Sequence, residues 1–553
     1  MAYDFDLGSH SRPITTNSPE AQAWFDRGLL WCFGFNHEEA VVCFRKATKA
    51  DPNCALAYWG IAFASGPFYN MPWEWFSEQE AEATVPTCYT AVQQALRRCG
   101  HVTPVEQALI QALAQRFPSN QVVSPEEFCR WEAAYAEAMR GVYAQYPEDL
   151  EVVAFCAEAL MTLTPWKLWD VHKGEAAPEA HTKEIIAILE GGLALVEKRE
   201  LPPHPALLHL HLHVWEMSPT PERALDSANT LFDVCPDAGH LQHMPSHIYV
   251  ICGQYPEAIA VSEQAIATDN KYLAYAGSSN FYTVARCHDF HMMMYAAMFA
   301  GQYQTALKAA EDMMATLTPE LLAVEKPHMA VVMEGYYSTK MHVLVRFGRW
   351  QEIVAAPLPA DPELYCVSTT MHHYAKGVAH SALGQIVEAE AELVRFEQAR
   401  RRIPENRLFF NNQADDILAV GLEMLLGELE YRKGNFEAAF GHLRAAVELD
   451  DHLYYTEPWA WMHPPRHALA ALLLEQDRIE EAEQVYRADL GLEDTLSRPS
   501  QHPDNVWSLH GYVECLRRTG KSEQAKAMQQ RLNRALQDTD VTIAASCCCR
   551  TQV

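Results

Sequence analysis

The sequence is short of positive charge. It has 43 Lys and Arg against 72 Asp and Glu in 553 residues, a formal charge of −29. A field of that sign repels phosphate, so neither nucleic acid nor an anionic membrane surface is an expected partner. No apolar run reaches the roughly 18 residues a membrane-spanning helix needs, so no span is expected. The opening MAYDFDLGSHSRPITTNSPEA has no basic stretch followed by an apolar one, and a secretory signal is not expected. The 15 cysteines include no CxxC pair. Most, such as Cys32, Cys43, Cys156 and Cys252, fall in helical patterns, where cysteine is a small buried hydrophobe, so a reducing, cytoplasmic setting is expected. Also missing are GxxxxGK[ST], GxGxxG after a strand, GxSxG and HExxH, which disfavours nucleotide, dinucleotide, serine-hydrolase and thermolysin-like zinc chemistry.

What is present is helix, repeated. At 553 residues the chain exceeds one compact core and reads as several domains or a repeat array. GQYPEAIAVSEQAI from Gly253, GQYQTALKAAEDM from Gly301 and GNFEAAFGHLRAAVELD from Gly434 share one plan: an apolar helix, a glycine turn, then a helix with Ala at fixed offsets. QDRIEEAEQVYRADL near Asp477 and GKSEQAKAMQQRL from Gly520 follow it, with weaker copies at Gly348 and Gly384. FNHEEAVVCFRKATKADPNCALAYWGIA, near the start, has the same shape, with Asn36 at the glycine position. Gly or Asn tolerates the left-handed turn and Ala lets the paired helices approach. Such segments are those of tetratricopeptide repeats, and the expected fold is an all-α solenoid of antiparallel helix pairs. Residues 1–20 read as an N-terminal arm, 21–537 as a continuous superhelix with a His-rich centre at 204–291, and 538–553, containing Cys547, Cys548 and Cys549, as a flexible tail. Three stretches rich in aromatics and Pro interrupt the pattern at 68–84, 165–178 and 458–465, and are expected to lie over one face and partly close the groove. Thr103, Pro104 and Glu106 mark a helix start by cap, first turn and capping box.

Histidine is concentrated. Nine of the chain's 25 fall between His204 and His291. His209, His213 and Glu216 stand at i, i+4 and i+7, on one helix stripe. His243 and His247 are i and i+4, with His240 three residues earlier, and His288 and His291 are i and i+3. Imidazole is the commonest protein ligand for transition metals, so His209, His213, His243, His247, His288 and His291 are candidate ligands for iron, copper or zinc. His247 precedes Gly253 by six residues and His291 precedes Gly301 by ten. That offset of about one helical turn predicts a spread site. His211 points away from His209 and His213. Glu216 and Glu158 are the candidate catalytic carboxylates; Glu158 sits among apolar neighbours, where it must be paired or protonated. Asn70, Trp166, Glu457, Trp459 and Arg466, in or beside the aromatic loops, are candidate substrate-binding residues, with Arg466 either clamping an anion or pairing with Glu457.

Several stretches together resemble one group of long, mostly bacterial tetratricopeptide-repeat proteins. They are FNHEEA through GPFYN at 35–70, AEALMTLTPWKLWD at 157–170, the HxxxHxxE of His209–Glu216, GHLQHMPSHIY at 239–249, the HxxH at 288–291 and YYTEPWAWMHPPRHALAALLL at 454–474. The resemblance spans about residues 20–535 and implies the fold more than any chemistry, since the group has no settled activity. His211 and the cysteine tail fall outside its pattern. The sequence therefore supports two readings. One is a metal-dependent enzyme, oxidative or hydrolytic, acting on a small molecule in a His-lined pocket. The other is a scaffold holding a peptide or protein in its concave groove, with the histidines structural.

Overall fold

The computed structural model describes residues 3–324 and 328–550. They are predominantly helical, with short two-residue hairpins pairing Trp169–Asp170 with Glu175–Ala176 and Leu408–Phe409 with Asn412–Gln413. None of the described helices is long and apolar enough to cross a membrane. The chain divides into two compact units: Met1–Ile248 with Gln264–Tyr282, and Tyr249–Glu263 with Thr283–Val553.

In the first unit the helices Pro19–Phe33 and His37–Ala50 set the local plan. Ser18 caps the first, accepting from the Ala21 N–H, and Asn36 caps the second, accepting from the Glu39 N–H. The left-handed residue between them is Phe35, at φ 54°. This corrects the expectation for Asn36, whose side chain is needed as the cap one position later. In the second unit the predicted glycines do hold the left-handed turn, Gly301 at φ 71° and Gly434 at φ 83° among them, while Asp477 takes that place in QDRIEEA at φ 57°.

Helix pairs close on each other where glycine admits a ring. Phe44 lies between Gly28 and Gly60, and a Cβ added at either would stand 2.7 or 2.6 Å from its ring. Helix Pro104–Arg116 begins with the expected capping box of Thr103 and Glu106. The first aromatic interruption is shorter than expected. A second capping box, Ser77 with Glu80, starts the helix Glu78–Arg98, so residues 78–84 are helical. What remains of that loop folds inward, with Phe68 stacked on His37 at 3.9 Å and Tyr69 against His213 at 4.9 Å between ring centroids.

The N-terminal arm is pinned by charge. The Arg12 guanidinium donates to Asp149 and Glu151 at 2.7 Å each, and His10 Nε2 lies 2.9 Å from Glu151. In the second unit the loop before helix Pro465–Glu475 buries Trp461 between His342 and Tyr374. The segment expected to be a flexible tail lies along this unit: Asp540 accepts from the Tyr303 and Gln304 N–H groups at 2.6 and 2.7 Å, and Arg550 pairs with Glu514 at 2.7 Å.

Two glycines give opposite expectations. Gly60→Ala drives a methyl into Phe44 and is expected to destabilise the first unit by about 1–3 kcal/mol. Gly141→Ala, exposed near the C-terminal end of helix Pro125–Gln145 with nothing within 4 Å of its Cβ, is expected to stabilise by about 0.5–1 kcal/mol through helix propensity. Urea unfolding of the two variants beside the parent reads both signs.

Candidate metal centre

The site grows from helix Pro205–Glu216, all of whose residues are buried. Its sequence, PALLHLHLHVWE, alternates apolar residues with neutral-capable imidazoles, so the helix can be enclosed on every side. His209, His213 and Glu216 share one face, as their spacing requires. The second strip is broken. His240 and His243 lie on the short helix Gly239–His243, and His247 on the helix Pro245–Ile251 that Pro245 begins. Despite the break, His243 and His247 remain together, with their Nε2 atoms 2.7 Å apart.

Glu216 organises the rings. Its Oε1 accepts from His213 Nδ1 at 2.8 Å and its Oε2 from His247 Nδ1 at 2.6 Å. A carboxylate accepts only, so both Nδ1 atoms carry protons, and in the neutral rings the lone pair is left on Nε2. His209 is fixed the same way, its Nδ1 donating to the Phe33 carbonyl at 2.7 Å, and its Nε2 stands 3.1 Å from His240 Nε2. His209, His213 and His240 each present a ring nitrogen within 4.8 Å of the others. The His213 Nε2 is buried with no hydrogen-bond partner. His213 thus has the arrangement of a metal-ligating imidazole, with one nitrogen oriented by a carboxylate and the other unpartnered, while the second nitrogen of His209 faces His240 and that of His247 faces His243. Phe35 covers the set, its ring 4.4 Å from that of His209 and stacked on His213 and His240 at 5.7 and 5.2 Å.

The electrostatics favour neutral imidazole around one ionised carboxylate. Burial pulls His209, His240 and His243 well below the usual histidine range, with the neighbouring imidazoles adding to it. Burial pushes the Glu216 carboxyl up, but His213 and His247 outweigh it and hold it low. Glu158 behaves oppositely. Burial raises its carboxyl to about 7, against the pull of Arg116 and with the help of Glu132. Its Oε1 accepts from Thr162 at 3.1 Å, its Oε2 has no partner, and a small cavity lined by Glu158, His37, Phe35 and His209 joins it to the histidine cluster. It is the protonated alternative of the two that burial allows.

The remaining candidates are distributed. His211 is held by Ser227 and the Trp215 indole N–H, at 2.9 and 3.0 Å, outside the set. Asn70 and Trp166 flank Tyr69, whose hydroxyl accepts from the Trp166 backbone N–H at 3.2 Å, and Trp166 stacks on the partly exposed Trp75 at 4.8 Å. His288 and His291 lie in the second unit on helix Tyr282–Ala300. His291 is buried and stacked on Phe410, with neither ring nitrogen hydrogen-bonded. Glu457 and Trp459 are also in that unit, the Trp459 indole donating to the Pro499 carbonyl at 2.9 Å. Arg466 is not the partner of Glu457: its two Nη groups grip both oxygens of Asp451 instead. His240, the ligand candidate the spacing did not single out, comes to His209 from 31 residues away in the chain. Its only sequence signal is its place three residues before His243.

Residues 21–54 match the tetratricopeptide repeat. The match covers most of the first helix pair, including the turn that supplies the Phe33 carbonyl and the Phe35 ring, and the fold is an all-α one of this repeat type. No curated protein matches the chain. Among solved structures, the Naa15/Naa10 complex bound to HypK-THB aligns at 13% identity over 93% of this chain and 70% of that one, with a TM-score of 0.21. The APC/C hetero-tetramer Cut9–Hcn1 aligns at 11% identity over 94% and 96%, with a TM-score of 0.28.

The raised Glu158 carboxyl sets a pH dependence. A group whose folded pKa lies above its unfolded value stabilises fully below the unfolded value and loses that contribution as pH rises through the folded one. The window is therefore about pH 4.5 to 7. Glu158→Gln is expected to match the parent near pH 5 and to exceed it near pH 8, by an amount on the order of 3 kcal/mol. Thermal unfolding of both proteins across that range measures it.

Proposed function

We propose that the first unit binds a transition-metal ion through His209, His213 and His240, with Glu216 orienting His213, and that the protein carries out metal-dependent chemistry on a small molecule. The observation that carries this reading is the buried Nε2 of His213. It has no hydrogen-bond partner, its Nδ1 is tied to an ionised carboxylate, and two further ring nitrogens lie within 4.8 Å. A bare buried nitrogen is costly, and an ion would satisfy it together with the Nε2 of His209 and, once its proton moves to Nδ1, that of His240. Neighbouring nitrogens around a tetrahedral ion stand about 3.3 Å apart. His209 and His240 are already at 3.1 Å, so ion binding requires mainly that His213 close in. Three protein ligands leave a fourth position for water or substrate, the usual composition of a catalytic zinc site. The ion would supply Lewis acidity or, for iron or copper, redox chemistry. Glu158 then serves as the proton donor or acceptor on the His209 side, and the stacked Trp75 and Trp166 with Asn70 form the approach to His213 through Tyr69.

A scaffold role is the second reading, and a separate observation favours it. The tetratricopeptide match at residues 21–54 is to a repeat whose stacked pairs commonly hold peptide segments. That match bears on partner binding and not on catalysis. On this reading the histidines form a metal-free buried network that stiffens the first unit.

Metal stoichiometry separates the two. Protein purified without a histidine tag, offered iron(II), copper(II) and zinc(II) in separate dialyses, is expected to retain about one ion per chain of the preferred metal. His213→Ala is expected to abolish retention, and Glu216→Gln to weaken affinity about 10–100-fold. A parent that holds none of the three, or a folded His213→Ala that holds the ion as tightly, excludes the metal reading and leaves the scaffold.

A further inference from the structure

The second unit contains a buried cation without an anion. Arg346, at the end of helix Thr339–Arg346, is 5% exposed, and its guanidinium stacks on Trp507 at 4.2 Å. Its Nη1 donates to His467 Nδ1 at 2.7 Å. Because Arg only donates, His467 Nδ1 accepts, and the His467 proton sits on Nε2, which lies 2.9 Å from Asp489. That carboxylate is otherwise engaged by His502, Asn505 and Ser508. The negative charge therefore reaches Arg346 only through a neutral imidazole, and no carboxylate among the described residues pairs with the guanidinium directly. Burial lowers Arg346 to about 10, which leaves it charged near neutral pH.

The unoccupied part of the guanidinium is specific. Nε has no partner, and the sole contact of Nη2 is the Ser546 carbonyl at 3.5 Å, the limit of a hydrogen bond. Nε and Nη2 form the side-on edge, whose two parallel N–H groups match the two oxygens of a carboxylate. Arg346 also lines a cavity of about 40 Å³ with Tyr374, Val378, His463 and the Cys547 and Cys549 of the terminal segment. By the measure in which one water needs about 10–15 Å³, that is room for roughly three heavy atoms. The lining is mainly apolar. Its one carboxylate, Glu428, is already paired with Arg432 at 2.7 Å. We infer that this cavity is a binding site for a monocarboxylate of formate's size, held side-on by the Nε and Nη2 of Arg346 with its C–H end against Val378 and its neighbours. The site is separate from the histidine cluster of the first unit and does not rest on the metal reading.

The test is calorimetry and thermal shift on the full chain with formate, at constant ionic strength, beside propionate, formamide and inorganic phosphate. Saturable binding of formate is expected, with propionate, formamide and phosphate each at least about tenfold weaker. Arg346→Lys keeps the charge and loses the fork, and is expected to weaken binding about tenfold or more. Val378→Phe fills the cavity without touching the arginine and is expected to do the same, so the proposal stays testable if the lysine variant does not fold. No saturable binding of formate, phosphate or formamide binding as tightly, or a folded variant with unchanged affinity would each overturn it.

Discussion

The first unit's centre depends on one ionised carboxylate fully buried from solvent. An isolated buried Glu216 would be several kcal/mol too costly to keep charged. Two imidazole N–H groups, one from its own helix and one from the helix beginning at Pro245, make it tolerable. The same two bonds decide which nitrogen of each ring is left over. Charge, tautomer and ligand availability are thus a single constraint, and the apolar surroundings that keep the other imidazoles neutral sharpen it. Removing the carboxylate would release both rings to either tautomer and blunt the convergence of lone pairs.

The repeat turn is the second half of that constraint. A bulky aromatic in the left-handed region costs on the order of 1–3 kcal/mol, which a glycine in the same turn would avoid. Phe35 takes that conformation, and its ring is what roofs His209, His213 and His240, while two residues earlier the Phe33 carbonyl fixes His209. The turn that merely reverses the chain at Gly301 or Gly434 here does a further job, and the strain sits where the job is.

Much of this was legible in the sequence, for reasons that can be stated. Turn glycines and capping boxes act within four or five residues, so Gly301, Gly434 and Thr103–Glu106 read correctly. Side chains at i and i+4 share a helix face by geometry alone, so His209 and His213 stand together as their spacing requires. The shift from Asn36 to Phe35 was missed because an Asn serves equally well as cap and as left-handed residue, and only the neighbouring bonds distinguish them. His240 needed a contact spanning 31 residues, and nothing in local periodicity supplies one. The pairing of Arg466 with Asp451 instead of Glu457 is hidden in the same way, since Asp451 comes from the preceding helix, 15 residues upstream.

Arg466 and Arg346 show how much the neighbourhood of a buried guanidinium decides. Arg12 meets Asp149 and Glu151, Arg116 meets Glu132, and Arg466 meets Asp451, each a carboxylate in direct contact. A carboxylate in that position offsets desolvation through short-range attraction and fills the donor fork at the same time. Arg346 receives neither from the chain. Its nearest anion is one imidazole away, so the attraction is weakened by distance while the Nε edge stays unfilled. Stacking on Trp507 recovers part of the lost interaction but gives nothing to those two N–H groups. Side chains with the same buried charge therefore differ in how far the protein itself completes them, and Arg346 has a buried Nε edge and no carboxylate in direct contact.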